Sequence, residues 1–250
     1  MEFVIPFLCL AGFLGGFIDS IAGGGGLITL PALVAAGVPP HVALGVNKFQ
    51  GTFGTSMAVA NFARKSKIIW KIAALGIPFA LIGAAIGAEL ILSIPESVVA
   101  KVIVALLPPI AAFIFLSKTL KFKRREKASF ASLWIATPLV CFFVGMYDGF
   151  LGPGTGTFLI LALVFFSRLP FINASATAKT FNLASNVGGL VTFIIGGHIF
   201  YHLALPMAAG NILGNVIGSH YAIKHGDGFV KKLLLVSISI LFVYLIWKYF

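Results

Sequence analysis

This chain has almost no acidic side chains: seven Asp and Glu in 250 residues, against 18 Lys and Arg. Charged residues of either sign make up 10% of it, where a soluble domain carries about 25%. That leaves too few polar groups to cover a water-soluble globule. Cysteine is nearly missing as well. Cys9 and Cys141 both lie in apolar runs at unrelated positions, which speaks against a disulfide framework or a Cys-built metal site. No nucleophile–base set, metal-ligand cluster or ATP-binding signature is visible. An enzyme, a metal and a cofactor are therefore not expected. The first residues, M-E-F-V-I-P, lack the basic start of a signal peptide.

What is present is apolar. Hydrophobic residues make up 59% of the chain, and mean hydropathy is +1.05. Apolar segments run over residues 3–18, 27–37, 41–62, 72–92 and 98–117. A second series covers 132–147, 157–167, 172–195, 203–222 and 232–249. Most can span about 30 Å of hydrocarbon at about 1.5 Å per residue. The expected class is an all-α integral membrane protein, multi-pass, with the lipid bilayer as its solvent. The second segment of each series is too short to span comfortably, and each follows a glycine-rich loop. Spanning and re-entrant arrangements both remain open for it.

The two series align as a repeat. Asp19 falls on Asp148, Gly23 on Gly152 and Gly25 on Gly154. After a short insertion Ala43 falls on Ala174 and Lys48 on Lys179, and then Phe62 on Phe193, Gly83 on Gly214 and Gly87 on Gly218. This divides the chain into a first membrane repeat (1–117), a basic linker (118–131) and a second repeat (132–250). The linker stretch Lys118 to Lys127 holds six bases and one acid, as a cytoplasmic segment does. Arg64, Lys65, Lys67 and Lys71 follow the third segment, whereas the equivalent Gly196-Gly197-His198 has no Lys or Arg. The next loop, Ser93 to Glu96, has no base closer than Lys101, but its partner carries Lys224, Lys231 and Lys232. The bias changes sign between halves, which predicts an inverted repeat. The basic clusters thus mark loops beside a membrane, not a nucleic-acid surface.

Intramembrane charges cost roughly 2.5–3.5 kcal/mol each on insertion scales, so they need a reason. Asp19, Lys48, Asp148 and Lys179 all fall within the repeated motifs. One reading has each Asp neutralise a Lys and lock two helices together. The other has the lysines attract an anion, with the acids as counter-ions or proton carriers. Gly51, Thr52 and Thr55 share a helical face with Lys48; Asn182 and Asn186 share one with Lys179. Asn47 and Gln50 flank the first lysine. These amides suit oxyanions, or equally interhelical hydrogen bonds.

Gly23, Gly24, Gly25 and Gly26 form the first loop; Gly152, Gly154 and Thr155, with Pro153 and Gly156, form the second. Each leads into a short helix whose free N–H groups and positive dipole end can receive an anion. Pro31 is expected in a first helical turn. Glycines four apart at Gly12/Gly16, Gly83/Gly87 and Gly210/Gly214/Gly218 read as helix-packing positions. Asn211, Asn215 and His220 share the last of these helices, with His220 read as a packed, loop-adjacent side chain. Pro108-Pro109 should kink the fifth segment. Trp70, Trp134, Tyr201, Trp247 and Tyr249 stand where interfacial anchors do.

These motifs carry a resemblance. G-F-I-D-S-I-A-G-G-G-G-L-I-T-L-P-A-L followed by A-L-G-V-N-K-F-Q, with Y-D-G-F-L-G-P-G-T-G and N-L-A-S-N-V-G-G in the second half, resembles the TauE/SafE-type sulfite and organosulfonate exporters of bacteria. The resemblance covers nearly the whole chain. It implies a permease of the bacterial inner (plasma) membrane for small sulfur-containing anions such as sulfite, sulfoacetate or thiosulfate. The expectation is a secondary transporter, exporting by alternating access. Its partners are the anion and protons; a homodimer is left open. An anion channel and an uptake permease for a small carboxylate or other oxyanion are the rivals.

Overall fold

The computed structural model describes residues 3–65, 67–99, 101–102, 105 and 132–249. The linker expected at 118–131, and Pro108-Pro109, lie outside the described residues, as do the side chains of Trp247 and Tyr249. The described chain is all-helical, without a strand. The first half holds α1 (Val4–Ala22), α2 (Gly26–Ala35), α3 (Pro40–Arg64) and α4 (Trp70–Leu92). A π-helical turn (Ser132–Ala136) leads into α5 (Thr137–Phe150), followed by α6 (Thr155–Phe166), α7 (Phe171–Ile195) and α8 (Tyr201–Tyr249). Helix α8 breaks at Gly226, which leaves helical geometry at φ 67°, ψ −156°.

The short segment of the first half folds back. Helix α1 ends at Gly23, whose left-handed φ of 75° lets its N–H bond Asp19 O at 2.9 Å. Ten residues of α2 then return along α1, so that Gly15 faces Thr29 and Leu8 packs with Leu30 and Leu33. At about 1.5 Å per residue α2 is about 15 Å long, half a hydrocarbon layer. Pro31 falls in the second turn of α2, with Gly26–Leu30 ahead of it, and not in the first turn. Its missing N–H costs the helix one internal bond, which a helix wedged between α1 and α3 tolerates.

Small residues set the helix pairing. Positions 9, 13 and 17 of α1 meet Gly210, Gly214 and Gly218 of α8, in the same order along both helices. The two helices therefore run parallel. Positions 80 and 84 of α4 meet Gly145 and Gly149 of α5 in the same way. A methyl group at Gly214 or Gly149 would overlap the carbonyl oxygen of Phe13 or Ala84. Such close backbone approach is how helices gain contact where lipid tails remove the usual hydrophobic drive. The first α-helix of each half thus packs along the fourth of the other.

Helices α3 and α7 run through the middle. Every residue from His41 to Gln50 is buried, as is every residue from Ala174 to Asn182, although both stretches are rich in polar side chains. Polar in the centre and apolar outside is the reverse of a soluble core. The outer faces carry Ile195 at 82% exposure, with Leu205 and Phe143 near 59% and 58%, a surface suited to hydrocarbon. Helices α1 and α4 are long and apolar enough to cross a membrane. Trp70, Trp134 and Tyr201 are exposed near helix starts. His220 is exposed on α8, not packed as its sequence position suggested, because it faces away from the α1 contact made by Gly218.

The two ends of the bundle differ. At one end His41 Nε2 lies 3.1 Å from Ile91 O, its Nδ1 3.6 Å from Glu96, and its ring 5.2 Å from that of His198. At the other end Asn173 Nδ2 donates to Lys67 O at 2.9 Å, and Ile172 N to Asp227 at 2.8 Å. The stretches Arg64–Lys71 and Lys224–Lys232 belong to this second end.

Candidate functional site

The two glycine loops meet. Gly23 and Gly156 touch backbone to backbone, Thr157 N donates to Gly23 O at 3.2 Å, and Thr157 Oγ1 donates to Ala22 O at 2.8 Å. No side chain larger than hydrogen fits at either glycine. In the second loop Gly154 holds φ 83°, which starts α6 at Thr155.

Beside this crossing lies a polar cavity of about 30 Å³, room for about two waters at roughly 10–15 Å³ each. Its wall holds Asp19, Gly23, Gly25, Gly26, Asn47, Gln50, Asp148, Gly152, Asn182 and Asn186. All ten were candidates from sequence. Gly51, Gly156 and Asn211 complete it. From sequence Asn211 has no role beyond its place on the glycine-spaced helix. The signal that could have found it is a departure from the repeat, since its equivalent in the first half is Ala80.

Gly24, Gly154, Thr155, Lys48 and Lys179 are not on the wall. The lysines stand behind it, each held by the acid of the other half. Lys48 Nζ lies 2.8 Å from Asp148 Oδ2, and Lys179 Nζ 2.8 Å from Asp19 Oδ2. Lys48 packs its stem against Gly189, where a Cβ would press on it at 3.2 Å. Both acids occupy the last turn of a helix, α1 or α5, where the dipole disfavours a carboxylate. The crossed lysines offset that, and the four charges sum to zero.

The acids differ in their other partners. Thr155 Oγ1 donates to Asp148 Oδ1 at 2.8 Å, and Ser185 Oγ to Asp148 Oδ2 at 2.6 Å. Backbone oxygens of Gly152 and Asn182 lie nearby at 2.7 and 3.0 Å, but an ionised acceptor takes the stronger bond. Among the described residues Asp19 receives Lys179 only, and its side chain is 15% exposed against 3% for Asp148.

The amides are oriented by a small network. Thr29 Oγ1 and Gln50 Nε2 both donate to Asn47 Oδ1, at 2.6 and 3.0 Å. That turns the Asn47 Nδ2 donor to the cavity. Gln50 Oε1 has no partner among the described residues. Asn186 Nδ2 reaches Asn182 Oδ1 at a long 3.5 Å. Asn211 is bonded at both ends of its amide, to Gly12 O at 3.2 Å and from Asn215 at 2.8 Å. Among the described residues no group of His, Cys, Asp and Glu is arranged to hold a metal. The arrangement offers directed amide donors and helix starts, backed by paired charge, to a compact polar guest.

Comparison with known proteins places this geometry in context. The family model described as "Sulfite exporter TauE/SafE" matches residues 8–245. A Sinorhizobium protein named "Probable membrane transporter protein ORF9" is 37% identical over 241 residues, 95% of this chain and 90% of that protein. A Haemophilus influenzae "Probable membrane transporter protein" is 36% identical over 238 residues, 93% of this chain and 91% of that one. The Escherichia coli "Probable membrane transporter protein YfcA" is 33% identical over 234 residues, 94% and 86% of the two chains. No solved structure matches.

Proposed function

This chain belongs to the sulfite exporter TauE/SafE family of membrane transporters, and from that premise we propose that it exports a small sulfur-containing anion across the bacterial inner membrane by alternating access. The observation that carries the proposal is the polar cavity of about 30 Å³ at the crossing of two glycine loops, with an acid of each half on its wall and the lysine paired to it behind. An inverted repeat brings one loop from each half to mid-membrane, and parallel pairing of α1 with α8 and of α4 with α5 agrees with it. Irregular backbone at that depth is tolerated where it lines a cavity. Asn47, Asn182 and Asn186 donate to the oxyanion, the first turns of α2 and α6 add N–H groups at the wall residues Gly26 and Gly156, and Lys48 and Lys179 supply the field. The cavity's size favours a compact head such as sulfite over an extended sulfonate. Rocking of the halves about the Gly23–Gly156 contact opens it to either side.

Uptake into proteoliposomes of purified protein tests this, with sulfite, thiosulfate, sulfoacetate and simple carboxylates as competing substrates. Saturable sulfite flux is expected. Flux of carboxylates alone would overturn the substrate class, and unitary currents would replace the transporter by a channel.

A further inference from the structure

We propose that Asp19 is the acid that takes up and gives back a proton during transport, while Asp148 stays ionised as a permanent counter-ion. The assignment rests on the transport reading above and comes from a break in the repeat. Asp148 accepts hydrogen bonds from Thr155 and Ser185 and lies 2.8 Å from the Lys48 ammonium as an ion pair. The positions of the first half equivalent to Thr155 and Ser185 are Gly26 and Gly54. Neither glycine can donate from a side chain, so among the described residues Asp19 keeps one donor, Lys179, on Oδ2 and has no side-chain donor on Oδ1. A Cβ at Gly54 would overlap the Asn211 amide, so this half has no room for the missing hydroxyl.

Each donor stabilises the ionised form of a carboxylate and must lose its acceptor or rotate away before a proton can bind. Two hydroxyl donors and the Lys48 charge hold Asp148 as an anion through the cycle. Asp19 needs only Lys179 to let go. The groups turned toward Asp19 are Lys179 on α7, Lys48 on α3 and Asp148 on α5. Helices α2, α6 and α8 line the same cavity with Gly26, Gly156 and Asn211. A proton from solution reaches Asp19 through the cavity, and the carboxylate becomes a carboxylic acid. The Lys179 ammonium then lacks a counter-charge and holds the incoming anion instead. One monoanion and one proton leave the four-charge set neutral, as passage through hydrocarbon favours.

Two readouts separate this assignment from the transport reading. Difference infrared spectra of the purified full-length protein should show a carboxylic C=O band appearing on acidification. Asp19→Asn should remove that band, and Asp148→Asn should leave it. Should Asp19→Asn not fold, Asp19→Glu serves: it must shift the band. A band that survives Asp19→Asn, or is unmoved in Asp19→Glu, overturns the assignment whether or not sulfite is the substrate. In proteoliposomes, Asp19→Asn should reduce pH-gradient-driven sulfite accumulation to the level seen without a gradient. Gradient-driven accumulation at the wild-type level in Asp19→Asn overturns it too. Absence of sulfite counterflow in the wild type counts against the transport reading instead, and leaves the infrared result to decide the assignment.

Discussion

Lys48 is fully buried in the first half of the chain and lies 2.8 Å from Asp148 in the second, while Lys179 reaches back to Asp19 in the same way. Each half therefore completes its charge balance only through the other. Removing one partner strands a buried charge, which costs about 3–5 kcal/mol, whereas replacing both by apolar groups is close to neutral. Lys48→Met alone should lower the melting temperature strongly. Lys48→Met combined with Asp148→Leu should recover most of that loss and still abolish transport. Thermal unfolding in detergent checks the first part and counterflow the second. A double mutant as unstable as the single would mean that the pair is not what holds the halves together.

The bundle ends differ in charge, so they can be assigned to membrane sides. Arg64, Lys65 and Lys67 share their end with Asn173 and Asp227, and positive residues stay in the cytoplasm. A cysteine replacing Lys65 should resist an impermeant thiol reagent added outside sealed cells. One replacing Ser93 should react. The reverse pattern would invert the orientation.

His198 lies in the loop between α7 and α8, with the His41 ring 5.2 Å away. Burial, then the charge on His41, lower its pKa, and Glu96 only partly opposes them. A depressed value means that the folded protein binds this proton less readily than the unfolded chain does. The resulting term is absent well above the unfolded value of about 6.5, and stability falls as pH drops through it. Solvent reaches this loop, so the effect is small. His198→Gln should make the melting temperature less sensitive to acidification from neutral pH. Equal slopes in both proteins would remove His198 from the pH response.

Much of the helix layout was legible beforehand. Segments read at 41–62, 72–92 and 172–195 became Pro40–Arg64, Trp70–Leu92 and Phe171–Ile195. Length, apolar content and the glycine and proline punctuation determine such boundaries locally. The cavity wall was legible in part, because Asn47, Gln50, Asn182 and Asn186 share a helical face with, or flank, an intramembrane lysine. The crossed pairing was not, since periodicity tells which way a side chain faces but not which helix it meets. For the same reason Lys48 and Lys179 read as wall residues, and the structure stands them behind it. Asn211 escaped because its glycine-spaced helix reads as packing, and packing is also what its bonds to Gly12 and Asn215 do.

Asn47 and Asn211 share the cavity wall but commit their amides differently, and this predicts opposite phenotypes. Asn47 accepts twice on Oδ1, from Thr29 and Gln50, and keeps Nδ2 for a guest. Removing a donor to a charged ligand costs roughly 1.5–3 kcal/mol, or about ten- to hundredfold in affinity. Asn47→Ala should therefore weaken sulfite binding by that factor. Its own fold suffers less, because Thr29 Oγ1 also lies 3.1 Å from Gly25 O and can donate there instead. Asn211 already donates to Gly12 O and accepts from Asn215, where α8 meets α1. Asn211→Ala takes the side-chain donor from the buried Gly12 carbonyl and leaves the Asn215 amide only the Asn211 backbone oxygen at 3.1 Å, at about 1–3 kcal/mol. It should lower the melting temperature while changing affinity less than Asn47→Ala does. Titration calorimetry with sulfite and thermal unfolding on the two variants separate the cases. Loss of affinity in Asn211→Ala with none in Asn47→Ala would move the oxyanion to the α8 side of the cavity.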